Sequence, residues 1–313
     1  MLVSSKKLLL KAQKQGYAVG QFNVYNLESA QAVIAAAERE KSPIILGITE
    51  KSIDYVGLSE LALIIRDLAK MSKVPIALHL DHGRTIEVVR DCLKAGFTSV
   101  MFDGSFYNLG TNIKLTQKAV KAAHNKDIQI EAELGRLGFI NKKARSFTDP
   151  DEAEKFVKKT KVDSLAIAVG TSHGAYKFTG ESFIDIERIK LVRKKVQIPL
   201  VLHGASGALS DLVGQANRYG AKIKKTSGVP DELIKKAIKV GISKINIDTD
   251  LRLAFNAGLR QNLSQNKSEF DPRQLLKPAY KEITEIVSQK IKLFGSKNKI
   301  HSVKSRLPCR QTG

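Results

Sequence analysis

An alternation that runs the whole length of the chain restricts its fold more than any other feature: short apolar runs are separated by longer segments with helical spacing. Eight such runs can be marked, Ala18–Phe22, Pro43–Ile48, Pro75–Leu80, Thr98–Phe102, Ile128–Glu133, Asp163–Val169, Pro199–Leu202 and Ser243–Ile247. Near-continuous apolar runs of this length are what strands of a parallel sheet, covered on both faces, look like in sequence. Between them, Ala30–Glu40, Leu58–Met71, Ile86–Ala95 and Asp151–Lys159 place apolar residues three or four apart with charges between, which predicts amphipathic helices. Prolines 43, 75 and 199 stand where a strand begins, the position a strand tolerates. Repeated strand–helix units imply a parallel sheet, either an open doubly wound one or a closed barrel.

The polar residues choose between the two. Nearly every apolar run closes on a side chain able to bind or react: Asn23, Thr49, Asp81 with His82, Asp103, Glu131 and Glu133, His173, His203, Asn246 with Asp248. In a closed barrel these ends converge on one face, where that fold builds its active sites; in an open sheet they would be strung along an edge. The expectation is a single (β/α)8 TIM barrel over residues 1–299, since no linker or composition shift divides the chain.

Charge and composition exclude several classes. No run of about 18 uncharged apolar residues occurs, so a membrane-spanning helix is not expected. Met1–Gln15 has lysines on both sides of Leu8, Leu9 and Leu10; that apolar stretch is too short for a secretory signal and predicts an amphipathic first helix in a cytoplasmic protein. Cys92 and Cys309 lack partners at metal-ligand or redox-motif spacing. The net charge of +21 suits an anionic partner, but the lysine clusters at 222, 224 and 225 and at 235, 236 and 239 are scattered and not interleaved with aromatics. A specific nucleic-acid groove is therefore not expected, whereas a phosphorylated small substrate would gain from the same field.

Three of the six histidines follow strands, and each is followed directly by glycine: His82, His173 and His203. Three neutral imidazoles with an open fourth position are what a catalytic zinc site requires. Asp81 directly precedes one of them, so its carboxylate can serve as general acid or base, or else orient an imidazole. His79, two residues before Asp81, is expected to share its strand face or to lie one layer deeper, in packing or in support of a ligand. The turns at His173-Gly174 with Lys177 and at Gly204 to Gly207, with Asn246 to Thr249 after the last strand, predict a phosphate cradle of backbone N–H groups completed by Lys177 and Ser206.

Six motifs together resemble the class II fructose-bisphosphate aldolases over residues 1–299. They are Leu-His-Leu-Asp-His-Gly (78–83), Ala-Gly-Phe-Thr-Ser-Val-Met-Phe-Asp-Gly-Ser (95–105), Glu-Ala-Glu-Leu-Gly-Arg (131–136), Gly-Thr-Ser-His-Gly-Ala-Tyr-Lys (170–177), Leu-His-Gly-Ala-Ser-Gly (202–207) and Lys-Ile-Asn-Ile-Asp-Thr-Asp (244–250). The resemblance implies zinc, or cobalt in its place, on His82, His173 and His203. It implies Glu133 and Asp103 at an accessory metal position, a monovalent cation as a further candidate, and Asp81 as the acid/base. Gly174, Lys177, Gly204, Ser206, Asn246 and Thr249 would surround the phosphate of the dihydroxyacetone half. Asn23, Thr49 and Asp248 would contact the substrate, and Arg252 and Arg273 match arginines at the far phosphate, one of them across a dimer interface. The implied activity is reversible cleavage of a ketose 1,6-bisphosphate to triose phosphates by a homodimer or homotetramer. Tagatose bisphosphate, differing at carbon 4, is the alternative substrate.

The chain also departs from the family. After Gly138, where a second glycine, an acidic pair and a long loop are usual, it reads Phe139 to Arg145 and reaches Asp149 almost at once. The shortened loop implies slow proton transfer at the enediolate carbon, and leaves a metal- and triose-phosphate-binding barrel with impaired catalysis as a rival reading. Residues 208–228 form an insert shared with a subset of the family and are expected to be helical, and 300–313 are predicted to be a disordered tail.

Overall fold

Every predicted apolar run becomes a strand: β1 Val19–Asn23, β2 Ile44–Thr49, β3 Ile76–Gly83, β4 Ser99–Phe102, β5 Gln129–Leu134, β6 Ser164–Ile167, β7 Leu200–Leu202 and β8 Ile242–Ile247. The computed structural model describes residues 1–135, 147–171, 183–207, 209–224 and 228–300. All pairings are parallel, and β1 bonds to both β2 and β8, so the sheet closes into an eight-stranded barrel in chain order. Helices follow the strands on the outside, which makes the architecture a TIM barrel. The three prolines sit one residue ahead of their strands, because proline has no N–H for the ladder; the carbonyls of Pro75 and Pro199 still accept from Ile44 and Leu165.

Helix starts are written in the sequence by side chains that satisfy the first free N–H groups. Asn26 and Ser29 cap the helix Leu27–Arg39 reciprocally, and Thr85, Asn108 and Asp149 cap the helices that follow them. The predicted first helix forms as Ser5–Gln15 and lies across the lower mouth of the barrel. There Leu8, Leu9 and Ala12 pack on Val19, Ile45 and Ala77 as a small apolar plug.

Above that plug the barrel is polar inside, and the strand pattern explains it. Gln21 and Asn23, His79 and Asp81, Gln129, Glu131 and Glu133, and Lys244 and Asn246 recur at every second position. Alternate residues of a barrel strand point inward. Their partners lie on strands that are not neighbours, Glu131 with Lys244 and Asp81 with Asn246, so these bonds cross the lumen. The intervening residues, such as Leu78, Leu80, Ile130, Ala132 and Ile245, pack outward into the main apolar core beneath the helices.

The 208–228 stretch carries the helix Leu209–Arg218, which packs on the helix Thr249–Gln265; Gln215 donates to Gln261 at 2.9 Å. The chain then returns so closely that a Cβ on Gly228 would fall 2.5 Å from the Gly207 backbone. Only glycine allows that closure.

Candidate active site

At the upper rim of β3 the backbone does something a histidine rarely permits: His82 adopts φ 55°, in the left-handed region. Successive strand residues point to opposite faces, so an unbent strand would send Asp81 inward and His82 outward. The kink brings both to the mouth, and the pairing with β4 slips at the same place, between Leu80 and Gly83. Such a conformation costs about 1–3 kcal/mol and persists only where the surroundings enforce it. Here Asp103 Oδ2 lies 2.9 Å from the His82 Nδ1.

The other ring nitrogen of His82, Nε2, faces His203 Nδ1 at 2.9 Å, and the rings meet nearly edge to face. On the far side of His203, Nε2 is 3.0 Å from Glu131 Oε1. Asp81 completes the group: Asn23 donates to its Oδ2 at 2.7 Å and Asn246 to its Oδ1 at 3.0 Å, from β1 and β8 respectively. Asn23, Thr49, Asp81, His82, His203, Gly204, Ser206, Asn246, Asp248 and Thr249 line one cavity. Ten of the predicted residues therefore meet as the strand ends required.

Burial would favour neutral Asp81, but the neighbouring His82, His203 and Lys244 outweigh it and hold the carboxyl well below its usual range. Burial acts against a charged His82 as well, yet Asp81 beside it and the bond to Asp103 push it up to about 10. His203 is lowered by burial and by the charge of His82. Glu133 is raised well above the ordinary carboxyl range, first by burial and then by Asp103.

This donor set fits a divalent cation. Asp81, His82 and His203 form one group, and His82, Asp103 and Glu133 another, in which one donor atom from each residue lies within 4.8 Å of the others. Two imidazole nitrogens aim at each other across 2.9 Å. Zinc–nitrogen bonds of about 2.0–2.1 Å at a tetrahedral angle separate two nitrogens by roughly 3.3 Å, so the rings need part by only a few tenths of an ångström. Glu133 Oε2 is buried with no hydrogen-bond partner among the described residues, 3.6 Å from His82 Nδ1. The negative field that draws a proton onto His82 attracts a cation as readily.

The chain matches the family model described as fructose-bisphosphate aldolase class-II over residues 3–299. It belongs to the class II fructose-bisphosphate aldolase family. Fructose-bisphosphate aldolase of Thermus caldophilus is 46% identical over 302 residues, covering 95% of this chain and 99% of the relative. That of Helicobacter pylori J99 is 44% identical over 307 residues, covering 96% and 100%. The crystal structure of the YdjI aldolase from Escherichia coli K12 superposes with a TM-score of 0.81 at 34% identity, covering 96% of this chain and all of that one. Membership makes the chain a metal-dependent aldehyde-lyase of glycolysis. No helix among the described residues is long and apolar enough to cross a membrane.

Not every predicted residue reaches this aldolase site. His173, Gly174 and Lys177 lie outside the described residues, as do the shortened loop at 136–146 and the tail from 301. Gly204 turns through φ 68°, but the Gly207 N–H at the end of the same turn is spent on Asp250 Oδ2 at 3.1 Å and is not part of an anion cradle. Thr249, the first residue of the helix Thr249–Gln265, brings the positive end of that helix to the cavity. Arg252 pairs with Asp248 at 2.8 Å. Arg273 does not join the site: it is 87% exposed and forks onto Asp271. His79 lies one layer down, as its spacing predicts, 2.7 Å from Ser99 Oγ. Lys244 and the supporting role of Glu131 were missed; the signal was present in the two-residue period of polar side chains along β5 and β8.

Proposed function

We propose that this chain cleaves fructose 1,6-bisphosphate reversibly into dihydroxyacetone phosphate and glyceraldehyde 3-phosphate, with zinc as its divalent cation. Asp81 carries the reading: a buried carboxylate, held by one amide on each oxygen, set beside the imidazole pair. Cleavage between carbons 3 and 4 needs a base for the carbon-4 hydroxyl proton and a sink for the electron pair left at carbon 3. Asp81 is ionised and accepts that proton; as the carbon 3–4 bond breaks, the hydroxyl oxygen becomes the aldehyde carbonyl and the pair moves toward carbon 2. In condensation the same carboxyl returns the proton. Asn23 and Asn246 prevent it from rotating away between the two events. Zinc held by His82, His173 and His203 supplies Lewis-acid polarisation of the carbon-2 carbonyl when bound.

Around this centre we assign Gly204, Ser206, Asn246 and Thr249, with Gly174 and Lys177, to the phosphate of the dihydroxyacetone half. Asn23, Thr49 and Asp248 fall to the substrate hydroxyls, and Asp103 and Glu133 to an accessory cation position. Arg252 would meet the far phosphate, and the exposed Arg273 would serve a neighbouring copy in a homodimer or homotetramer. The test is a coupled assay for triose phosphate from fructose and tagatose 1,6-bisphosphates, with and without chelator. Faster cleavage of the fructose isomer, lost on chelation and regained with zinc, is expected. Preference for tagatose bisphosphate would overturn the substrate, and activity in metal-free protein would overturn the metal.

A further inference from the structure

Beneath the aldolase site lies a lysine with no access to solvent or substrate. Lys244, in β8, is 1% exposed, and its Nζ lies 2.7 Å from Glu131 Oε2 across the barrel. The other oxygen of Glu131 is the one that meets His203 Nε2 at 3.0 Å. From there the bonds continue through His203 Nδ1 to His82 Nε2 at 2.9 Å, and through His82 Nδ1 to Asp103 Oδ2 at 2.9 Å. A single line of contacts thus runs from an ammonium in the barrel floor to a carboxylate at its rim, with the candidate cation position in the middle.

The chemistry of each link assigns the next. An ammonium only donates, so Glu131 Oε2 accepts from Lys244. A carboxylate bonded in that way is an acceptor on its other oxygen too, which makes His203 Nε2 the donor and leaves Nδ1 as the lone-pair nitrogen. That nitrogen is the one turned toward His82. We propose that Lys244 is a positioning residue for cation binding: by anchoring Glu131 it holds His203 in the orientation and tautomer that present Nδ1 to the divalent ion. Ser99 and His79 steady the lysine from the side, since His79 Nε2 is 3.4 Å from Lys244 Nζ and His79 Nδ1 is 2.7 Å from Ser99 Oγ. Lys244 does not line the cavity where Asp81 lies, so apart from its charge, which with those of His82 and His203 helps hold the Asp81 carboxyl low, its influence on the reaction passes through Glu131 and His203.

This inference rests on His203 and His82 as cation ligands, and its test separates the two. Zinc affinity of purified protein, measured by chelator competition, is compared for wild type, His203→Ala, Lys244→Met, Glu131→Gln and the Lys244→Met/Glu131→Gln double variant. Groups that orient metal ligands typically change affinity by about 10–100-fold. Each single variant in the line should therefore weaken zinc by about that factor, and the double should be no weaker than the worse single, because both act through one link. At saturating zinc the Lys244→Met enzyme should recover most of its turnover with an unchanged KM. Nitrogen NMR of labelled histidines in metal-free wild-type protein should report His203 as protonated on Nε2 and bare on Nδ1, a readout that does not depend on any variant folding. Unchanged zinc affinity in Lys244→Met, losses that add in the double variant, or a proton on Nδ1 would overturn the proposal. Unchanged affinity in His203→Ala would instead overturn the ligand assignment.

Discussion

Replacing Asp81 with asparagine separates its two candidate jobs, proton transfer and cation binding. The substitution keeps the shape but turns one acceptor oxygen into a donor, which would oppose either the Asn23 amide at 2.7 Å or the Asn246 amide at 3.0 Å. The structure indicates which side gives way. Asn23 Oδ1 already accepts from Gln21 at 3.0 Å, whereas Asn246 Oδ1 is buried with no partner among the described residues. Rotating the Asn246 amide therefore restores a bond, and the net loss is about one hydrogen bond, roughly 1 kcal/mol. At an unfolding entropy of about 2.1 cal/mol/K per residue, that lowers Tm by only about 1.5 °C for a chain of this length. The chemical step loses its base, worth about 10²–10⁴ in rate, or about 2.7–5.4 kcal/mol of barrier. Steady-state triose phosphate release, zinc content and a thermal melt on the same sample decide the matter. A near-native melt, retained zinc and a turnover loss of a hundredfold or more are expected. Turnover within tenfold of wild type, or loss of zinc together with activity, would refute the assignment of Asp81 as the acid/base.

Because no lysine is needed to form an imine, treatment with borohydride in the presence of substrate should leave activity intact, and cobalt should replace zinc after chelation; covalent trapping of substrate would remove the metal mechanism. Burial raises the Glu40 carboxyl, but the Ser288 hydroxyl and the ammoniums of Lys297 at 3.2 Å and Lys292 at 3.3 Å outweigh it and hold the group below its ordinary value of 4.5. A carboxyl with a depressed folded value adds stability above its unfolded value and loses it as pH falls through the folded one. Thermal melts below pH of about 4.5 should therefore fall less steeply for Glu40→Gln than for wild type, and parallel curves would count against that role. The shortened segment between Gly138 and Asp149 predicts slow turnover with tight binding of a hydroxamate mimic of the enediolate, and a grafted acidic loop of family length should raise turnover. Fast turnover in the unaltered protein would show that another group moves that proton.

The strand–helix alternation was legible because a barrel strand is covered on both sides and a surface helix on one, so each leaves its own period in the sequence. The same local logic exposed the strand-end residues Asn23, Thr49, Asp81, His82, His203, Asn246 and Asp248 as one face, since a barrel leaves no other place for them to go. The interior was harder to read. Lys244 and Glu131 sit in runs that look merely apolar with interruptions, and only closure of the barrel reveals that the interruptions face one another. Sequence spacing also could not state that His82 bends into the left-handed region, because the cost of that bend is met by Asp103, just past the end of the next strand, and by the charges around the mouth. Nor could it distinguish Gly207, whose N–H is committed to Asp250, from the rest of its turn. By itself, then, the sequence determined the periodicity, the element order and the kinds of side chain delivered to the rim. Tertiary structure alone decided which of them touch, because contacts across a lumen join strands far apart in the chain, and no local pattern encodes the distance between two residues that meet only when the sheet closes.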